Sequence, residues 1–145
     1  MQGLVAAVVT PMTDDGELNL ELVPRIVDHL VANEIRGIYI AGSTGEGMSL
    51  SDEERMATAA AYLKHCKGRL KAVVQVGHNS MKAAAALAAH AEGCGAGAIS
   101  ATPTGYFQAE GESGLVGLMA AIARGAPSTP FYYCLLYTSP SPRDS

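Results

Sequence analysis

The chain has 145 residues, of which 48% are hydrophobic and 17% are charged, and this composition predicts one globular domain with a buried core. The formal net charge is −4, and the ten lysines and arginines are scattered along the sequence, which argues against a nucleic-acid partner. Because no apolar run reaches the roughly 18 residues that a membrane-spanning helix needs, we also expect no membrane partner.

The first predicted unit is a strand followed by a helix. Residues 3–10 have the length and the valine content of a strand that is buried on both faces. Residues 18–32 carry a hydrophobic stripe at helical spacing. Pro24 lies inside this pattern and predicts either a kink or a late start of the helix, because proline lacks the N–H group that a helix interior requires.

Each later unit opens with a short apolar run that predicts a strand, and these runs are GIYIAG, KAVVQVG, AGAIS and PFYY. The second helix is the best defined. Ser51 and a glutamate three residues later match the capping box, which predicts a helix over residues 52–66. Asn79 or Ser80 is expected to cap the third helix, and a weaker pattern over residues 113–124 predicts the fourth.

The predicted elements alternate as β-α-β-α-β-α-β-α-β, which indicates an α/β fold with parallel strands. Units of about 30 residues fit either an open doubly wound sheet or a (β/α)8 barrel. A complete barrel needs about 250 residues, so the chain would supply a partial barrel of four βα units and a fifth strand. We predict that residues 1–133 form this part and that residues 134–145 are an artefactual or disordered tail.

The cysteines and the N-terminus predict the compartment. Cys66, Cys94 and Cys134 lie far apart and form no CxxC pair, which fits neither a disulfide framework nor a zinc site. The first residues lack the positively charged start of a signal peptide. We therefore expect a cytoplasmic protein without a metal.

The stretch AGSTGEGMSL, residues 41–50, places three glycines and several hydroxyl groups directly after the second strand. A phosphate or dinucleotide loop is a poor match, because the stretch lacks the lysine of a Walker loop. A purely structural turn would need the glycines only for a tight backbone path. A carboxylate site would instead use the hydroxyls of Ser43 and Thr44 with backbone N–H groups to hold a small 2-oxo acid. The residues alone leave these interpretations open.

Five blocks occur in order along the chain, and they are QGLVAAVVTPM, GSTGEGMSLSDEER, GHNS, TP and PFYY. Together they resemble the family of pyruvate-dependent class I aldolases that contains N-acetylneuraminate lyase and dihydrodipicolinate synthase. The first and last blocks are most similar to the N-acetylneuraminate lyase branch. The resemblance covers residues 1–133 and implies a (β/α)8 barrel that cleaves N-acetylneuraminate into N-acetylmannosamine and pyruvate without a cofactor.

The same resemblance implies roles for individual residues. In this family a barrel lysine forms a Schiff base with pyruvate. Ser43 and Thr44 would hold the pyruvyl carboxylate, and Ser43 is also a candidate for the proton relay. Gly45 and Thr10 would belong to the substrate-binding set, with Thr10 and Pro11 shaping the floor beneath the substrate.

Two catalytic groups of the family have no counterpart at the matching positions. The family's relay tyrosine follows PFYY, where this chain has Cys134, and a thiol is shorter than a phenol and titrates differently. The family's lysine belongs to a sixth strand. The chain's own lysines read as solvated surface residues, and they are Lys64, Lys67, Lys71 and Lys82. We therefore expect an inactive fragment of an enzyme whose full-length relatives form homotetramers.

Two other functions remain alternatives at this stage. The chain could derive from dihydrodipicolinate synthase or another pyruvate aldolase, because the residues that choose the second substrate lie beyond Tyr133 in the family. It could also be a non-catalytic chain that uses Ser43 and Thr44 only to hold a small carboxylate.

Three further residues are expected near the rim of the barrel. We expect His78 to make local hydrogen bonds rather than to contact the substrate. Glu46 is expected to accept backbone N–H bonds that fix the turn, rather than to act as a buried acid. Tyr106 is expected to be a rim residue.

Overall fold

A computed structural model of the protein describes residues 3–105 and 109–134. These residues form a sheet of five strands, which are β1 (Val5–Ala7), β2 (Gly37–Ile40), β3 (Lys71–Gln75), β4 (Ala98–Ala101) and β5 (Phe131–Tyr133). The connecting helices are α1 (Val23–Ala32), α2 (Asp52–Cys66), α3 (Met81–Gly93) and α4 (Gly111–Ala123). A short 3-10 helix, Leu20–Leu22, precedes α1. The predicted alternation of strands and helices is therefore confirmed.

The strand order separates the two folds that the sequence left open. The strands lie in the order β1-β2-β3-β4-β5, and every neighbouring pair is parallel. A doubly wound sheet reverses its order at a switch point, whereas each crossover here adds the next strand on the same side. The arrangement is that of a partial (β/α)8 barrel, with β1 and β5 each paired on one side only among the described residues.

The first strand differs from its prediction. It is shorter than residues 3–10, and it is not buried on both faces, because Val5 is 43% exposed. Burial on both faces requires a layer on each side of the sheet, and the described helices cover only one side of this edge strand. Beyond the end of β1, the Val8 N–H still donates a hydrogen bond to the Tyr39 carbonyl of β2 at 3.1 Å.

The helix boundaries follow the local signals closely. Pro24 is the second residue of α1, so the predicted late start is confirmed, since a proline there removes no helical hydrogen bond. Ser80 caps α3 and accepts a hydrogen bond from the Ala83 N–H at 3.3 Å. The fourth helix begins at Gly111, two residues before the predicted start at 113.

The two faces of the sheet have different environments. The face toward the helices is almost completely buried, and its side chains include Ile38, Ile40, Val74, Val76 and Ile99. On the opposite face, which would be the barrel interior, an open cavity of about 380 Å³ is lined by Tyr39, Val73, Ser100 and Tyr132. The hydrophobic core therefore lies between sheet and helices, and the other face carries polar groups toward the carboxyl edge.

Replacing Ser51 by alanine is expected to lower the free energy of unfolding by about 1 kcal/mol. Ser51 Oγ accepts from the Glu54 N–H at 3.2 Å, and the Glu54 carboxylate accepts from the Ser51 N–H at 2.8 Å, which is the complete capping box of α2. Urea denaturation measures the change. The control is Ser49→Ala in the exposed turn before the helix, which should shift stability by less than about 0.5 kcal/mol. Equal losses in both variants would contradict the capping role.

Candidate active site

A cleft of about 530 Å³ opens at the carboxyl edge of the sheet. Parallel strands bring their carboxyl ends to one edge, so residues from distant parts of the sequence meet there. The polar residues of its lining come from β2 and β3 and from the segments after β2, β4 and β5, and they include Tyr39, Ser43, Thr44, Gln75, Thr102 and Cys134. The glycine-rich stretch thus lies where ligands bind in barrels of this kind.

The turn after β2 is held by backbone contacts that require small residues. The Gly47 N–H donates to the Gly42 carbonyl at 3.1 Å, and the Glu46 N–H donates to the Ser43 carbonyl at 3.1 Å. A Cβ atom on Gly47 would overlap the carbonyl oxygen of Ala41. Ala41 itself has a φ of 55°, a left-handed backbone conformation that residues other than glycine rarely adopt. The small residues therefore allow a tightly folded turn.

Ser43 and Thr44 lie at the exposed surface of this turn and line the cleft. Their hydroxyl groups can donate and accept hydrogen bonds. Among the described residues, the lining of the cleft carries no carboxylate and no amine side chain. The structure therefore brings the two residues that the resemblance assigns to carboxylate binding together in one cleft.

Thr10 and Gly45 are not part of the lining of the cleft. The Thr10 hydroxyl donates to the Gly45 carbonyl at 2.7 Å, and Gly45 is buried. A Cβ atom on Gly45 would approach the Val8 carbonyl oxygen to 2.9 Å. Thr10 therefore holds the turn through Gly45, and direct contact of either residue with a substrate stays a prediction.

Cys134 lines the cleft, and so does Tyr39. The sequence interpretation did not include Tyr39 among the site residues. The Cys134 N–H donates to the Ala101 carbonyl at 2.9 Å, which extends the pairing of β5 with β4 by one residue. The Tyr39 hydroxyl donates to Ser100 Oγ at 3.2 Å. Burial raises the pKa of Tyr39, the Ser100 hydrogen bond lowers it in part, and Cys134 adds to the increase. Tyr39 is thus a neutral hydrogen-bonding group at ordinary pH.

Arg55 and Gln75 form a second polar pair that the sequence interpretation missed. Arg55 is 2% exposed and Gln75 is 5% exposed. The guanidinium donates to the Gly77 carbonyl at 3.0 Å, to the Gln75 carbonyl at 3.0 Å and to Gln75 Oε1 at 2.6 Å. Burial lowers the pKa of Arg55, and the charge of Asp52 partly opposes that shift. In the sequence, the feature that could have indicated this pair is the single glutamine within the run KAVVQVG, which is otherwise mostly apolar.

The remaining candidates have local roles or exposed positions. His78 Nδ1 accepts from the Ser80 N–H at 2.8 Å, as expected of a loop histidine, and its Nε2 lies 3.7 Å from an Asp52 carboxylate oxygen. Glu46 is exposed, which excludes the alternative of a buried acid, and its main chain rather than its carboxylate makes the turn bonds that the structure records. Tyr106 lies outside the described residues.

The lysines and the metal-ligating residues are dispersed. The four lysines are all exposed, and none of them lines the cleft. Within residues 3–105 and 109–134, no three histidine, cysteine or acidic side chains lie close enough together to hold a metal ion. In the same part of the chain, no helix is both long enough and apolar enough to span a bilayer.

Known proteins resemble this chain in both sequence and structure. A family model described as the "Dihydrodipicolinate synthetase family" matches residues 1–142. The N-acetylneuraminate lyase of Xenopus tropicalis is 41% identical over 135 residues, which are 92% of this chain and 44% of that protein. Among solved structures, Proteus mirabilis N-acetylneuraminate lyase aligns with a TM-score of 0.89 at 34% identity, over 92% of this chain and 45% of that one.

A solved Ruminococcus gnavus sialic acid aldolase, described as its catalytic lysine mutant, aligns with a TM-score of 0.85 at 31% identity, over 90% of this chain and 43% of that one. The chain therefore spans less than half the length of these relatives. The family match continues past residue 133, and the boundary there stays a prediction. From the family match, the identity to its relatives and the shared partial barrel, the chain belongs to the dihydrodipicolinate synthetase family.

Proposed function

We propose that this chain is the N-terminal part of a class I aldolase that cleaves N-acetylneuraminate into N-acetylmannosamine and pyruvate through a Schiff base. The observation that carries the proposal is the cleft at the carboxyl edge of the sheet, with Ser43 and Thr44 in its lining. Family membership and 41% identity to an N-acetylneuraminate lyase support it.

The chemistry of the reaction explains what this half of the site would do. Cleavage leaves a carbanion equivalent on the pyruvyl carbon, and an iminium on a lysine accepts that electron pair. The carboxylate of the same pyruvyl group must be held in a fixed orientation by hydrogen-bond donors. Ser43 and Thr44 would supply these donors, and the Ser43 hydroxyl could also pass a proton within the site.

The Schiff-base lysine would come from a part of the full-length protein other than the strands described here. The chain's four lysines are exposed and lie outside the cleft lining, so none is desolvated as an amine nucleophile would need to be. The Ruminococcus gnavus relative is described as having a catalytic lysine. We therefore propose that the chain by itself binds pyruvate without forming a covalent adduct.

Two other functions are compatible with part of the same site. A dihydrodipicolinate synthase would hold pyruvate in the same way and would differ in the second substrate, and the family description favours it as the sister function. A non-catalytic chain would hold a small carboxylate without turnover, which the exposed lysines favour for the chain in isolation. We also propose a cytoplasmic homotetramer for the full-length protein, on the basis of the family resemblance alone.

The test compares the chain with a chimera. Residues 1–133 are continued by the C-terminal part of the Xenopus tropicalis lyase, and both proteins are assayed with N-acetylneuraminate and trapped by borohydride with pyruvate. We expect turnover and a covalent adduct in the chimera and neither in the chain alone, because only the chimera combines Ser43 and Thr44 with a lysine in the barrel.

Ser43→Ala in the chimera should lower kcat/KM by about 100-fold, as expected for loss of a donor to a developing or fixed anion. Ser49→Ala, which removes a hydroxyl outside the cleft lining, is the matched control and should leave kcat/KM within about twofold. Turnover by the chain alone, or equal effects of both serine variants, would refute the assignment of the site. The chimera takes its second-substrate residues from the lyase, so it tests only the pyruvyl half of the site. The sister function is tested by assaying the full-length protein with the substrates of both enzymes, and activity only with those of dihydrodipicolinate synthase would favour it.

A further inference from the structure

Arg55 is a buried cation whose charge no acidic neighbour neutralises directly. Its side chain donates to two backbone carbonyls and to Gln75 Oε1, all of which are neutral acceptors. The ion pairs among the described residues are Arg69 with Asp28 and His78 with Asp52, and Arg55 takes part in neither. The Asp52 charge acts on Arg55 only through space, without a hydrogen bond. A charge in a low-dielectric interior attracts an anion more strongly than the same charge in water.

Arg55 fixes the orientation of the Gln75 amide. Gln75 Oε1 accepts from the Arg55 guanidinium at 2.6 Å, and a flipped amide would place its NH₂ group against another donor. The Gln75 Nε2 atom must therefore point away from Arg55, and it lies 3.4 Å from Thr102 Oγ1. Gln75 Nε2 carries two N–H groups, and Thr102 Oγ1 can accept from at most one of them. The distance of 3.4 Å is long for such a hydrogen bond.

Among the described residues, Thr102 Oγ1 is the one acceptor recorded for Gln75 Nε2, which leaves a second N–H for a ligand. Gln75 is 5% exposed and belongs to the cleft lining, as does Thr102. A hydrogen bond from a cation to an amide oxygen polarises the amide and strengthens the N–H groups at its other end. Arg55 thus polarises a donor that belongs to the cleft wall.

We propose that Gln75, oriented and polarised by Arg55, donates a hydrogen bond from Nε2 to an anionic oxygen of the ligand in the cleft. Gln75 is then a ligand-binding residue in addition to Ser43 and Thr44, and Arg55 is its positioning residue. The inference rests on the proposed function for the identity of the ligand as a 2-oxo acid. It gives a role to the glutamine at the carboxyl end of β3.

The test is calorimetric titration of the 145-residue chain with pyruvate. Gln75→Glu keeps an oxygen acceptor for Arg55 but replaces the N–H donor with a negative oxygen, so we expect pyruvate affinity to fall about tenfold or more. Gln75→Leu removes the donor without adding charge and should weaken binding by a smaller factor. Lys64→Gln makes the same change in net charge at an exposed position on α2, and we expect affinity within about twofold of the unsubstituted chain.

Methyl pyruvate, which is neutral, tests the positioning role of Arg55. The preference for pyruvate over its ester should decrease in Arg55→Met, where Ser43 and Thr44 remain, and should be retained in Arg55→Lys, which keeps the charge. A merely structural role would weaken both ligands equally and leave the preference unchanged. If Arg55→Met does not fold, as shown by circular dichroism, the comparison of Gln75→Glu with Arg55→Lys decides the same question.

The outcomes separate this inference from the proposed function. Loss of pyruvate binding in Ser43→Ala, together with unchanged binding in both Gln75 variants, would overturn the role of Gln75 and support carboxylate binding by Ser43. Loss of pyruvate binding in the Gln75 variants, with unchanged binding in Ser43→Ala, would support the role of Gln75 and contradict carboxylate binding by Ser43. A chain that binds no pyruvate would overturn both.

Discussion

Gly47→Ala is expected to lower the free energy of unfolding by about 3–5 kcal/mol, which is a large part of the stability of an ordinary domain. The added Cβ would overlap the carbonyl oxygen of Ala41 and lie 3.2 Å from its Cα. Ala41 cannot retreat easily, because it is buried and already has a φ of 55°. Thermal unfolding followed by circular dichroism measures the loss.

Gly117→Ala is the matched control for this substitution. Gly117 lies within α4, and a Cβ there would meet no atom within 4 Å. Alanine in a helix interior should stabilise the chain by up to about 1 kcal/mol. A Gly47→Ala chain as stable as the unsubstituted chain would mean that the turn can open without cost. Because Ser43 and Thr44 lie on that turn, the same variant should also lose pyruvate binding.

Arg55→Met is expected to lower the free energy of unfolding by about 3 kcal/mol. The substitution keeps an unbranched apolar stem but removes the donors to the Gly77 carbonyl, the Gln75 carbonyl and Gln75 Oε1, which lie in a buried region. Part of the loss is offset because the charged group itself no longer has to be desolvated. Urea denaturation gives the difference in unfolding free energy.

Arg69→Met provides the comparison at the surface. Arg69 pairs with Asp28 at 2.6 Å, but the two side chains are 40% and 66% exposed. Exposed ion pairs contribute little, so we expect a change below about 1 kcal/mol. If the Arg55 and Arg69 variants lost equal stability, the buried network around Gln75 could not be the structural link between α2 and β3 that the distances indicate.

Local sequence signals predicted those features that depend on neighbouring residues. Ser51 with its capping glutamate placed the start of α2 correctly, and Pro24 correctly indicated a late α1. Both signals act within one helical turn, so the residues that matter are adjacent in the sequence. The burial of the first strand was predicted wrongly, because apolar composition does not reveal how many layers cover a strand.

The candidate site shows the same division. The sequence could single out Ser43 and Thr44 as candidates because their motif is contiguous and resembles that of a known family, and the structure places both in the cleft lining. Arg55 was missed because its partners are 20 and 22 residues away along the chain, and a lone arginine on a helix usually reads as a solvated residue. Tyr39 was missed because only the register of β2 against its neighbours brings its hydroxyl to Ser100.

The sequence by itself therefore determined the α/β alternation, the limits of α2 and the position of the glycine-rich turn, since these depend on periodicity and on residues close in the chain. Only the tertiary structure decided between a barrel and a doubly wound sheet, because strand order is a property of how the crossovers pack. It also decided that a buried arginine faces a glutamine in the cleft wall, since burial and distant hydrogen bonds exist only after the chain has folded.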